Sequence, residues 1–143
     1  MRRPPIFDTA ELAEEAFYDA MRRGDLAAMM ALWSTDDEVV CVHPGNARLV
    51  GLEAVRAGWE SIFSGGGGVA IRTRDLTVSA SGVVSIHNLI EQITIAGRMG
   101  SQVVECVVTN VYVKTVSGWR IVLHHGSPAA EVEPSVPAGT IIH

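Results

Sequence analysis

The sequence has little of what usually betrays a protein's chemistry. Among 143 residues there are two cysteines, Cys41 and Cys106. Both sit inside apolar, strand-like runs and no CxxC spacing occurs, so a disulfide framework has no support and each reads as a small buried hydrophobe. Charge is sparse. Charged residues make up 19% of the chain, and 11 Lys+Arg against 16 Asp+Glu leave a net charge of -5. No block of one sign forms, and Arg22-Arg23 and Arg72/Arg74 are too few to track a phosphate backbone, which argues against nucleic-acid binding. No apolar run approaches the roughly 20 residues of a membrane helix. The opening MRRPPIFDTAELAEE has two arginines but no apolar h-region. The expectation is a soluble cytoplasmic protein with no membrane partner.

Motifs for cofactors are missing as well. Gly65–Gly68 have no following Lys-Ser/Thr and no preceding strand, which argues against a phosphate loop. There is no Gly-x-Ser-x-Gly. The five histidines show no i, i+4 pair on a helix and no facial-triad spacing on one element. Neither a cofactor nor a metal is expected.

What is present is enough apolar residue, 48%, for one core in one domain. Residues 1–10 read as an arm, with Pro4-Pro5 opposing regular structure. DTAELAEEAFYDAMRRG reads as a helix capped by Asp8 or Thr9, with Arg22-Arg23 in its last turn and Gly24 after it. Its apolar stripe is Leu12, Ala13, Ala16, Phe17, Ala20 and Met21. GDLAAMMALWSTDD predicts a shorter helix capped by Asp25, with Leu26, Met29, Met30 and Trp33 on its apolar face. Val39–His43 predicts a short strand. GLEAVRAGWESIF predicts a third helix, ended by the four glycines, with Leu52, Val55, Trp59, Ile62 and Phe63 on one side. From Val69 onward the chain is rich in Val, Ile and Thr and is punctuated by Ser-Gly and Gly turns, predicting four long strands joined by hairpins. Residues 129–143 read as an extended tail.

Three helices followed by a long antiparallel sheet of about five strands is an α+β arrangement. A cone-shaped, curved sheet packed on the helices encloses an apolar space, where a small-molecule pocket forms. Phe17, Trp33, Trp59, Ile62 and Phe63 are the bulkiest apolar side chains available to line or back it. The sheet carries apolar residues on both faces (Val103, Val107 and Val111 against Val104, Val108 and Tyr112), and the helices cover one of them. A homodimer is expected to cover the other.

RRGDLAAMMALWSTDDEVVCVHP, then GLEAVRAGWESIF, then TNVYVKTVSGWRIVLHHGSP resemble the SnoaL-like and ketosteroid-isomerase-like families of the nuclear transport factor 2 fold, over roughly Ala10 to Pro128. Three features carry the likeness: a Gly-Asp between the first two helices, an acidic pair followed by a strand ending in His-Pro, and a final GWRI…H strand. The resemblance implies a domain over residues 11–128 and a pocket for a small apolar or carbonyl-containing molecule. It also places His43 where ketosteroid isomerases carry their proton-shuttling aspartate. A histidine titrating near its ordinary value of about 6.5 does that work at neutral pH. The family's oxyanion tyrosine aligns with Phe17, leaving Tyr18 one residue away on another face. The family's protonated acid falls near Cys106.

Alternation supplies further candidates. His87 and Glu91 share one strand face, about 13 Å apart along the strand, and the resemblance favours that face as concave. Asn110 offers an amide to a ligand carbonyl. His124 and His125 point opposite ways: the resemblance favours His124 inward, whereas the bulk of Trp119, Ile121 and Leu123 favours His125. Three functions fit this pattern: cofactor-independent proton transfer of the isomerase or cyclase type, ligand binding without turnover, or a dimeric interaction module.

Overall fold

The computed structural model describes residues 5–130. Residues 1–4 of the expected arm, and 131–143 of the expected tail, lie outside the described residues. Helix α1 spans Ala10–Arg23. Thr9 caps it, accepting the Leu12 amide at 3.1 Å, and Gly24 ends it in the left-handed region at φ 62°. Helix α2, Leu26–Met30, is capped by Asp25. It is shorter than its sequence pattern suggests, because Trp33 pairs with Ile121 in a parallel bridge that pulls the chain out of helix. Strand β1 (Val40–Val42) and strand β2 (Arg48–Val50) precede helix α3 (Leu52–Phe63). The four long strands follow as β3 (Ala70–Ala80), β4 (Val84–Gly97), β5 (Gly100–Thr115) and β6 (Gly118–Pro128).

They form a curved, unclosed six-stranded sheet in the order β2-β1-β6-β5-β4-β3. The α+β class and the cone over the helices are as the sequence predicts. Two details differ. Strand β2 is additional, three residues too short to show a period. And β1 pairs with β6 in parallel, whereas the other strand pairs among the described residues are antiparallel.

The helices lie in the concavity. Phe17, Leu32, Trp59, Leu89, Tyr112 and Ile121 are fully buried between the two layers. The end of α1 is held by glycine. A Cβ on Gly68 would collide with the Arg22 carbonyl oxygen, so only glycine lets the loop after α3 lie against the end of α1, where the Val69 amide donates to Met21 O at 2.9 Å.

Candidate functional site

One row of the sheet organises the concave face. The register pairs His87 with Asn110, Asn110 with His124, and His124 with Cys41, so four strands deliver these side chains side by side. Glu91 lies four residues beyond His87 on β4, paired with Cys106. His87, Glu91, Asn110 and His124 are all buried.

Helix α1 meets this row with two polar side chains. Glu14 Oε2 accepts from His87 Nδ1 at 2.8 Å, and Tyr18 donates its hydroxyl to Glu91 Oε2 at 2.8 Å. A pair four residues apart on a helix thus meets a pair four residues apart on a strand. Asn110 ties the two together. Its amide nitrogen donates to Tyr18 at 3.0 Å and to Glu14 Oε1 at 3.4 Å, and its oxygen contacts His124 Nδ1 at 2.6 Å. Tyr112 donates to Glu14 Oε1 at 3.2 Å, and Ser85 contacts His87 Nε2 at 2.8 Å. The polar groups of this network satisfy one another, as a low-dielectric interior requires, whereas the buried indole nitrogens of Trp33 and Trp59 have no partner among the described residues.

Glu14 and Tyr18 correct the predicted helix face. Leu12 is exposed, while Ala13, Glu14, Phe17, Tyr18, Ala20 and Met21 are buried. The buried arc is wide enough to take both residue 17 and residue 18, so Tyr18 does not sit on a separate outer face. Phe17 instead packs edge-on to Tyr18 and Trp59, at 5.0 and 5.7 Å between ring centres.

Next to the network is a cavity of about 200 Å³, lined by Met21, His43, Pro44, Trp59, Ile62, Val69, Glu91, Ile93 and His124. Its walls are mostly apolar, and its ionisable side chains are one carboxyl and two imidazoles. Trp59 stands edge-on to His43 at 4.6 Å, and Phe17 and Phe63 back Trp59. Gly58 of α3 leaves room for Leu49: a Cβ there would press on Leu49 Cδ1 at 2.5 Å, while meeting His43 Nε2 at an ordinary contact distance of 3.5 Å. His87 and Asn110 stand behind the cavity in the network rather than on its wall.

Two sequence expectations change. Trp33 does not line this cavity. Its bridge to Ile121 places it beside a separate recess with Met30, Asp36 and Arg120. His125 is exposed and His124 faces inward. The competing arguments over these histidines are reconciled by a β-bulge: β6 shifts register between Leu123, opposite Val111, and Ile121, opposite Tyr112. The extra residue lets Trp119 and Ile121 face the core together with His124.

Burial reshapes the acid-base chemistry. It pushes His43 down to about 4, away from the neutral titration the sequence suggested. Burial, with smaller effects from His43 and His125, pushes His124 down to about 3. Glu91 moves the other way, to about 7. Loss of solvation dominates, the Tyr18 hydrogen bond opposes it, and Glu14 adds to it. Cys41, whose sulfur is 3.5 Å from His43 Nε2, is pushed up to about 12 and stays a thiol. Among the described residues, no three His, Cys, Asp or Glu side chains form a metal-holding group, and no helix is long and apolar enough to cross a membrane.

Comparison with known proteins follows the same lines. A solved structure from Thiobacillus denitrificans, described as a proposed calcium/calmodulin-dependent protein kinase type II association domain, is 37% identical. It covers 88% of this chain and 99% of its own, with a TM-score of 0.78. A proposed dehydratase of the nuclear transport factor 2-like family from Streptomyces avermitilis is 29% identical over 85% of this chain and 94% of its own, TM-score 0.76. A ketosteroid isomerase-like protein from Erwinia carotovora atroseptica shares the fold at 19% identity over 85% of this chain and 94% of its own, TM-score 0.68. No curated protein matches the sequence. The family profile described as SnoaL-like domain matches residues 11–131, and the chain belongs to that family.

Proposed function

We propose that this SnoaL-like domain is a cofactor-independent proton-transfer enzyme for a small, mostly apolar carbonyl compound, of the isomerase or cyclase type, and that Glu91 carries the proton. The observation that carries this reading is Glu91 itself: a carboxyl on the wall of an apolar cavity, balanced near pH 7. A group that is half ionised at working pH both takes and returns a proton efficiently. Tyr18 occupies Oε2 and leaves Oε1 for the substrate. Glu91 removes a proton from the carbon next to the carbonyl and returns it to another carbon. His43, neutral at pH 7, serves as hydrogen-bond donor to the developing oxyanion rather than as base.

The test is α-proton exchange of small cyclic ketones in heavy water, followed by NMR. Exchange above the buffer rate, rising through about pH 7 as Glu91 ionises and abolished in Glu91→Gln, is the expected result. Exchange unaffected by Glu91→Gln, or none with any ketone, overturns the reading.

Assembly is supported by a different observation. Ile86, Val103 and Val107 are exposed on the sheet face away from the helices, and the 37% identical relative is described as an association domain. We propose a homodimer through this face. Sedimentation at micromolar concentration should give twice the 15.3 kDa chain mass, and Val107→Lys should shift the protein toward monomer. A stable wild-type monomer refutes it.

A further inference from the structure

The hydrogen-bond chain behind the cavity fixes what the cavity asks of its ligand. Tyr18 uses its hydrogen on Glu91, so its oxygen accepts, and the partner it accepts from is the Asn110 amide nitrogen. The same nitrogen faces Glu14 Oε1, which also accepts from Tyr112. These two acceptors orient the Asn110 amide: nitrogen toward α1, oxygen toward β6. The oxygen can only accept, so His124 donates from Nδ1 at 2.6 Å. His124 is fully buried and its pKa is pushed far below neutrality, so it holds one proton, and that proton is on Nδ1. Nε2 is left bare. It is the ring nitrogen available to the cavity that His124 lines, and it can only accept.

The rest of the wall narrows the class. Among the described residues, no lysine or arginine lines the cavity, and Glu91 does. An anion would lose its hydration without gaining a counter-charge. The apolar walls of Met21, Trp59, Ile62 and Ile93 disfavour a full positive charge for the same reason. At about 30 Å³ per water molecule, a cavity of about 200 Å³ has the volume of about seven waters, room for a ligand with a single small ring.

We propose that the cavity selects an uncharged, hydroxyl-bearing compound whose O–H donates to His124 Nε2, with Glu14 and Asn110 acting as positioning residues that set the His124 tautomer from the far side of the network. This rests on the cavity being the ligand site proposed above. It narrows the substrate to hydroxylated carbonyl compounds, the hydroxyl held by His124 and the carbonyl end turned toward Glu91 and His43.

Two measurements test it, and neither depends on turnover. The first is ¹⁵N NMR of the histidine-labelled protein at neutral pH. The His124 ring should show a protonated Nδ1 and a bare Nε2, and Asn110→Leu should shift the ring nitrogens toward a mixture of tautomers. A protonated Nε2 in the wild type overturns the proposal. The second is binding of four probes of similar size, read by tryptophan fluorescence: 4-methylphenol, 4-methylanisole, 4-methylbenzoate and 4-methylbenzylamine. The phenol should bind about tenfold tighter than the anisole, the scale of one hydrogen bond to a desolvated acceptor, and tighter than both charged probes. His124→Phe should remove the advantage over the anisole. Equal binding of phenol and anisole, tighter binding of either ion, or no phenol binding at millimolar concentration overturns the proposal. If phenol selectivity and tautomer hold while ketone exchange is absent, the proton-transfer reading fails and this one stands.

Discussion

Replacing Glu14 by alanine should destabilise the protein by about 3–5 kcal/mol, the largest loss expected from any single polar side chain in the structure. The side chain accepts from His87 Nδ1 at 2.8 Å, Tyr112 Oη at 3.2 Å and Asn110 Nδ2 at 3.4 Å. All three partners are buried. Alanine leaves their hydrogens without an acceptor in a space sealed by α1, and each abandoned group costs about 1–3 kcal/mol. Against a usual domain stability of about 5–15 kcal/mol, the midpoint of thermal unfolding should fall by about 10–15 °C. Glu14→Gln should be far milder, about 1 kcal/mol. Its carbonyl oxygen still serves Tyr112 and Asn110, and its amide donates to His87 Nδ1 if His87 moves its proton to Nε2, where Ser85 Oγ accepts it. Urea or thermal unfolding of both variants is the check. Equal losses for Ala and Gln would mean that one amide oxygen cannot stand in for the carboxylate, so that acceptance by both of its oxygens is what Glu14 contributes; little loss in either variant would refute the prediction.

Glu14 also shows where sequence reading stops. The long strands, the capped helices and the cone were legible because each rests on a local signal: Val/Ile/Thr runs, Thr9 and Asp25 as caps, Gly24 as a stop. A glutamate in the first turns of a helix carries the opposite local signal, since it reads as a solvated charge favoured by the helix dipole. Only its partners on β4 and β5, at a sequence separation of 73 for His87 and 96 for Asn110, reverse that reading. Tyr18 was misplaced for a related reason. A narrow apolar stripe suits a helix on a flat face, whereas a helix lying in the concavity of a curved sheet buries a broader arc.

The histidines of β6 stay open in the sequence for a different reason. Strict alternation forced a choice between His124 and the Trp119/Ile121 set, and the bulge opposite Val111–Tyr112 satisfies both. A bulge costs no residue type that a single sequence would show, so strand faces beyond it carry no reliable parity. The functional reading shifted in the same way. The position of His43 at the end of an apolar strand was visible, but the depth of its burial was not. Depth decides between a base near neutrality and an imidazole held at about 4.

Depth also gives the protein a distinctive dependence on pH, through Glu91. The carboxyl faces Tyr18 and Glu14 of α1, Cys106 of β5 and Cys41 of β1, and it shares the cavity with His43 and His124. Its folded-state value of about 7 lies above the ordinary 4.5. Between those two values the folded chain holds a proton that the unfolded chain has released. The stabilisation from Glu91 is therefore complete below about pH 4.5 and lost as the pH rises through about 7, amounting to about 3 kcal/mol. His43 and His124 act in the reverse sense. Their folded values lie below 6.5, so the stability they contribute is present above about 6.5 and is lost as the pH falls toward 4 and below. The two effects overlap in the total, and Glu91→Gln separates them. Glutamine keeps an oxygen to accept from Tyr18 but has no proton to lose. Unfolding free energies of wild type and Glu91→Gln, measured in urea from about pH 4.5 to about pH 8, should diverge in favour of the variant by about 3 kcal/mol, most of the change falling below about pH 7. A difference that stays flat across that range would mean that Glu91 titrates as an ordinary carboxylate, and the proton-transfer role assigned to it would go with it.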